Sequence, residues 1–192
     1  FCITRGAHLK KRAPRLSSPL PGARPLTMKR PAPPAVPLTD NEETTREHLL
    51  ALPLFDGCTG EELATLARHM NFAEIGRGER LCSEGEPADA MYFVVSGGLD
   101  VLKRTTRGDY RVVARAGRGR IVGEMALFDR SPRSATVVAR QPSVVVLLTR
   151  KGFDLLTVRH PALGLSLVRT ILRLLSLNMR LTTSRLADQL PG

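Results

Sequence analysis

The chain has 192 residues, 42% hydrophobic and 24% charged, which is the make-up of one soluble globular domain with extensions; 4% aromatics and no Trp leave a core of Val, Leu, Ile and Ala. No unbroken apolar run approaches the roughly 20 residues of a spanning helix and no apolar signal region opens the chain, so neither a membrane anchor nor a signal peptide is expected. The net charge of +11 is unevenly placed: residues 1–40 carry eight Lys/Arg against Asp40, leaving +4 for the rest, too little to indicate a nucleic-acid-binding fold.

Residues 1–40 also hold eight of the 14 prolines, mixed with Ser and Gly. Such a segment cannot bury enough apolar surface to offset its ordering entropy, so it is expected to be a disordered basic extension. Residues 1–27, ahead of Met28 in "MKRPAPP", read as an upstream stretch outside the native fold. Order is expected from Asn41, with one domain over 41–160 and a hinge or dimerisation helix over 161–190.

"NEETTREHLL" and "TGEELATLARHM" predict two short helices. In the second, Thr59 and Glu62 have the spacing of a capping box, and Leu63, Leu66, Ala67 and Met70 form an i, i+3, i+4, i+7 stripe. From Asn71 to Thr149 short β-branched runs ("MYFVV", "LDVLK", "RVVAR", "ATVVAR", "SVVVLL") alternate with Gly-rich breaks, which predicts a mainly β sandwich or barrel. "RKGFDLLTVRHP" predicts a short helix stopped at Pro161, and "ALGLSLVRTILRLLSLNMRLTTSRLADQL" a long one.

The long helix carries Leu167, Ile171, Leu174, Asn178 and Leu181 at 4-3-4-3 spacing, and a second stripe through Val168, Leu172, Leu175, Met179 and Leu186. One stripe suffices for packing on its own domain; two favour self-association as well. The three cysteines (Cys2, Cys58, Cys82) lack CxxC spacing and the four histidines are scattered, so reduced thiols in a cytoplasmic setting and no metal site are expected.

"IVGEMALFDRSPRSATVVA", residues 121–139, places Gly123 and Glu124 at the end of an apolar run and Arg133 at the start of the next. A helix start after Gly123 presents free N–H groups to an anion. The planar fork of Arg133 suits a phosphate, and the carboxylate of Glu124 suits a ribose hydroxyl. A phosphorylated sugar ligand therefore fits; a Glu124–Arg133 salt bridge holding a loop fits these two residues too.

Two segments then resemble the cyclic nucleotide-binding domain family, as found in catabolite activators and protein kinase regulatory subunits. One is "LCSEGEPADAMYFVVSGG", residues 81–98, with Gly85-Glu86, a small Ala88, four apolar residues and Gly97. The other is "VGEMALFDRSPRSATVVA", residues 122–139, with Gly-Glu-x-Ala-Leu, five residues, then Arg-Ser-Ala-x-Val-x-Ala. The resemblance extends over about residues 48–187 and stops short of a helix-turn-helix output domain, which would begin where the chain reaches Gly192.

The resemblance implies a jelly-roll-like β-roll of roughly eight strands with flanking helices and a long C-terminal helix. It implies that Gly123 to Leu127 form a phosphate-binding cassette, with Glu124 on the ribose 2′-hydroxyl and Arg133 on the exocyclic phosphate oxygens. Backbone N–H groups near Met125, Ala126, Ser134 and Ala135 would complete the cradle, and Val101 and Val113 would lie against the base. Counting from Arg133 along a catabolite-activator-like pattern puts the helix residue that meets the purine at Asn178, the one polar member of the first helical stripe; a buried Asn fixing helix register is the other reading of that residue.

The expected ligand is cAMP, with cGMP the alternative because Ser134 could contact a guanine amine. No catalytic triad or dyad is suggested. The expected protein is a non-enzymatic cyclic-nucleotide sensor of the bacterial type, a homodimer through its C-terminal helix, acting on an effector protein. The rival is a catabolite activator-type transcription regulator whose DNA-binding domain is missing or truncated.

Overall fold

Asn41 opens the first helix by accepting the amide of Thr44 on its side-chain oxygen at 3.1 Å. The computed structural model in which this cap is seen describes Thr39, residues 41–129 and residues 131–187. The proline-rich extension, Thr39 apart, and the last residues of the 161–190 helix lie outside the described residues. Helix α1 covers Glu42–Leu50, a 3₁₀ turn Pro53–Phe55 and helix α2 Gly60–Ala67. The capping box at α2 forms in both directions: Glu62 N donates to Thr59 Oγ1 at 3.2 Å, and Thr59 N donates to Glu62 Oε2 at 2.7 Å.

Six strands follow: β1 Met70–Ile75, β2 Arg80–Cys82, β3 Ala90–Arg104, β4 Tyr110–Gly117, β5 Ile121–Val122 and β6 Thr136–Thr149. The four-residue helix α3, Met125–Phe128, interrupts them between β5 and β6, and helices α4 (Arg150–Arg159) and α5 (Pro161–Ala187) close the chain. All pairings are antiparallel, in the order β1-β6-β3-β4, with β2 on β6 and β5 on β3. This is the mainly β roll with flanking helices and a long C-terminal helix that the sequence predicts.

There are fewer strands than roughly eight because two pairs of predicted runs are continuous. "MYFVV" and "LDVLK" are halves of β3, and "ATVVAR" and "SVVVLL" are halves of β6. The register shifts between Val94 and Leu99, where bulges bend the ladder without ending it. Gly97, at φ +84°, lies in this bend, and a Cβ there would meet the carbonyl of Pro142 and the Cα of Ser143. Ladder and kink coexist because residue 97 has no side chain.

The continuous apolar runs have a direct cause. Side chains alternate along a strand, and here both faces are covered. Met91, Phe93, Val146 and Leu148 point into a core shared with Leu49, Leu66, Leu156 and Ile171 of the helices. Their neighbours Val94 and Val145 point into a second core inside the roll, with Ile75, Leu99, Val122 and Val137.

Pro161 separates the last two helices as expected and takes the first position of α5, where its missing N–H costs nothing. Leu163, Leu167 and Ile171 of α5 are buried, and Leu174 and Leu175 pack against the same core. Leu165, Leu172, Leu177 and Met179 are exposed, Leu172 at 56% and Met179 at 70%. The second stripe thus divides between core and surface; the side chains of Leu181 and Leu186 lie outside the described residues. By length and hydropathy Pro161–Arg180 is also apolar enough to cross a membrane. Arg169 and Arg173 interrupt this stretch, so it holds no unbroken apolar run of spanning length.

Candidate functional site

The two motif segments, residues 81–98 and 122–139, meet through their backbones. Gly85 N donates to Arg133 O and Arg133 N to Glu86 O, both at 2.8 Å. The turn that presents Gly85 is tightened by Ser83 N donating to Glu86 Oε2 at 2.8 Å. Glu84 N reaches Thr136 Oγ1 at 3.0 Å, and the Glu84 carboxylate pairs with Lys103 Nζ at 2.7 Å while accepting Arg104 N at 3.0 Å. Lys103 Nζ also donates to the carbonyl of Ser134. The Lys103 hydrogen bond, with the Arg104 amide behind it, holds the Glu84 carboxyl below its ordinary range.

The main chain on both sides of Arg133 is therefore fixed, and its side chain turns inward to 7% exposure. Nη1 donates to Ala90 O at 2.7 Å and, at 3.5 Å, lies near Gly123 O. Nη2 donates to the Tyr92 hydroxyl at 3.2 Å, and Cζ stands 5.2 Å from the centre of the Tyr92 ring. Burial pushes the Tyr92 phenol up, against the pull of Arg133. Every acceptor around this guanidinium is neutral. Arg46–Glu43, Arg68–Glu42, Lys103–Glu84 and Arg115–Asp100 form ion pairs, and among the described residues no ion pair joins Arg133 to Glu124. The salt bridge between those two residues, one of the readings open from sequence, is not formed.

Glu124 stands at the N-cap position of α3 with helical backbone angles. It is partly buried, and burial raises its carboxyl above the ordinary value, with Arg133 too weak to reverse the shift. The far end of α3 is held by Arg150 Nη1, which donates to Leu127 O at 2.8 Å.

Between these elements lies a cavity of about 190 Å³. Gly123, Glu124 and Met125 line it on one side and Arg133, Ser134 and Ala135 on the other, with Val101 from the roll and Asn178 from α5. Asn178 Oδ1 accepts a hydrogen bond from Arg120 Nη1 at 2.9 Å. Of Ala126 only the helical backbone is described.

Val113 is not brought to the cavity. Val101 pairs with Ala114 and Leu102 with Val112, so Val113 is the extra residue of a bulge, and it is 57% exposed. Cys82, read from the sequence only as a reduced thiol, is a buried part of the wall whose thiol is pushed up by burial. Tyr92, Lys103 and Arg120 act on the site through contacts across 31 to 58 residues, which no local pattern announces.

Residues 73–160 match the family model of the cyclic nucleotide-binding domain. A cAMP-dependent protein kinase regulatory subunit of Mycosarcoma maydis is 35% identical over 91 residues, 47% of this chain and 17% of that protein. A CRP-like cAMP-activated global transcriptional regulator of Mycobacterium tuberculosis is 26% identical over 142 residues, 74% of this chain and 62% of that protein. The chain thus spans less than two thirds of either relative. The crystal structure of a cyclic nucleotide-binding domain from Methylobacillus flagellatus superposes with a TM-score of 0.69 at 29% identity, covering 79% of this chain and 85% of that one.

Proposed function

We propose that the chain is, through the residues 73–160 that match the family model, a cyclic nucleotide-binding domain, and that it is a non-enzymatic sensor whose ligand is cAMP. The observation that carries this reading is the buried guanidinium of Arg133, ringed by neutral acceptors and without a carboxylate partner. A buried cation is costly unless an anion compensates it. A cyclic phosphate on the cavity side of Arg133 supplies that charge, and the bidentate fork fits its two exocyclic oxygens.

The amides at the start of α3 and at Ser134 and Ala135 add donors to the phosphate. Glu124 accepts from the ribose 2′-hydroxyl, Val101 lies against the base, and Asn178 meets the purine edge. The preference for cAMP is supported by the names of the kinase subunit and the regulator above; Ser134 keeps cGMP as the competitor to be tested.

At about 190 Å³ the cavity falls below the ~300–1,000 Å³ of usual small-molecule sites. In this proposal α3 or α5 shifts as the nucleotide is admitted. A ligand that binds the rearranged state better moves the equilibrium toward it, and α5 carries the change outward. In this proposal residues 41–160 are the binding unit and the helix beginning at Pro161 is the output. The exposed Leu165, Leu172, Leu177 and Met179 face a second copy of the chain in a cytoplasmic homodimer that signals to an effector protein.

Calorimetric titration with cAMP, cGMP and 5′-AMP tests the reading. Binding of a cyclic nucleotide well ahead of 5′-AMP supports it, and no heat with either cyclic nucleotide near millimolar concentration overturns it. A second reading, the binding half of a catabolite activator-type transcription regulator, is favoured by the similarity to the M. tuberculosis regulator along 74% of the chain. A helix-turn-helix encoded directly downstream of Gly192 would decide for it.

A further inference from the structure

The turn Gly117–Arg120, "GRGR", is locked to the centre of the roll. Gly119 N donates to Val94 O at 2.8 Å, Val94 N donates to Arg120 O at 2.9 Å, and Arg120 N reaches Gly117 O at 3.0 Å. Val94 is fully buried, so the base of both arginines is fixed. From it Arg118 donates through Nη2 to the carbonyl of Ala51, at the end of α1. Arg120 donates through Nη1 to Asn178 Oδ1, on α5 and 58 residues away. The residues that follow are β5, and after it come Gly123 and Glu124. One turn is thus joined to an N-terminal helix, to the C-terminal helix and, along the chain, to the cavity wall.

We propose that Arg120 is a positioning residue for base recognition, orienting the carboxamide of Asn178 and tying α5 to the strand that delivers Gly123 and Glu124. The proposal rests on the reading of the cavity as a cyclic-nucleotide site. A guanidinium has donors and no acceptor, so it is the oxygen of Asn178, not the nitrogen, that turns toward Arg120. The orientation of an amide that could otherwise flip is thereby set by a charged donor in a partly buried place, where such a bond is strong. Because Arg120 lies just ahead of β5, a shift of the cassette on binding is passed to Asn178 through a single side chain. The base end of the ligand and the position of α5 become one coupled choice.

The test uses the full chain, titrated with cAMP and, in competition, with ribose 3′,5′-cyclic phosphate, which lacks the base. Arg120→Met keeps the length and removes the donors. It is expected to weaken cAMP about tenfold, as for loss of a charge-assisted hydrogen bond, while leaving the base-free ligand within about twofold. Asn178→Ala is expected to reproduce this pattern, and the double variant to lose no more than either alone. At a half-exposed helical position Ala favours the helix, so Asn178→Ala carries the base-against-phosphate comparison if Arg120→Met does not fold. The proposal is overturned if Arg120→Met binds cAMP like the wild type, if both ligands weaken equally, or if the two losses multiply. If the wild-type chain binds neither ligand, the cyclic-nucleotide reading itself falls.

Discussion

Gly123 and Arg133 compete for one space: the site a Cβ on residue 123 would occupy is taken by Nη1 of Arg133. The backbone at Gly123 has φ +74°, a region L side chains rarely adopt, so the glycine is required twice over. Gly123→Ala is expected to lower stability by about 1–3 kcal/mol through backbone strain and to push the guanidinium off Ala90 O. Nucleotide affinity should fall by at least tenfold. Denaturant unfolding and calorimetry read the two effects, and an Ala variant with unchanged affinity would contradict the geometry.

Arg133→Leu separates function from folding. Removing the guanidinium strands the Ala90 carbonyl but also removes a buried, uncompensated cation, and these costs oppose each other. Thermal unfolding without nucleotide should shift by no more than about 1–2 kcal/mol in either direction. Binding of any cyclic nucleotide should drop by about a hundredfold or more. A variant that loses binding only because it no longer folds would refute this separation.

Tyr92→Phe leaves the ring beside Arg133 and removes the hydroxyl that accepts from Nη2. The guanidinium then keeps one face contact and loses one anchor. An affinity loss of about five- to tenfold is expected, in keeping with one hydrogen bond to a charged group. Because the anchor acts on the phosphate end, the base-free cyclic phosphate should weaken by the same factor as cAMP.

Acidification should move stability and binding in opposite directions. Burial raises the Glu124 carboxyl in the folded protein, so the folded state holds this proton more tightly than the unfolded chain. Glu124 therefore weakens the fold above its folded-state pKa, and the penalty disappears below the unfolded value. Glu124→Gln should stabilise the ligand-free protein at neutral pH, with the gain vanishing in acid. Nucleotide affinity of the wild type should decline as pH falls through the raised pKa, because the protonated carboxyl is the poorer acceptor for a ribose hydroxyl. Unfolding and titration series from pH 4 to 8 test both slopes.

Thr59→Ala removes one half of the reciprocal cap on α2. Its cost is expected to be about 1 kcal/mol, measured by urea unfolding, with nucleotide affinity unchanged because α2 contributes no residue to the cavity.

What the sequence made legible follows from how local each feature is. The capping box is written in four consecutive residues. The cassette is written in two short segments whose glycines, acid and arginine each answer a distinct physical need. Strand continuity through Gly97 is not so written, because a glycine-rich break and a bulged continuation look alike until the partner strand is known. Val113 missed the cavity for the same reason: one bulge moves every side chain beyond it out of the expected alternation. Arg120 and Tyr92 lie beyond sequence reasoning altogether, since their roles come from neighbours that only the tertiary fold supplies.

Strand β6 has a consequence for the life of the chain before it is folded. It is the shared partner of β1, β2 and β3, so of the five ladders only β3–β4 and β3–β5 can form before it exists. On the ribosome, everything from Met70 onward must wait for residue 149 to emerge before the roll can close. Long-range pairing of this kind makes folding slow and leaves apolar strands uncovered in the meantime. Mutations in β6 should therefore act first on yield during synthesis, through aggregation of the waiting strands, and only second on the stability of the protein once made.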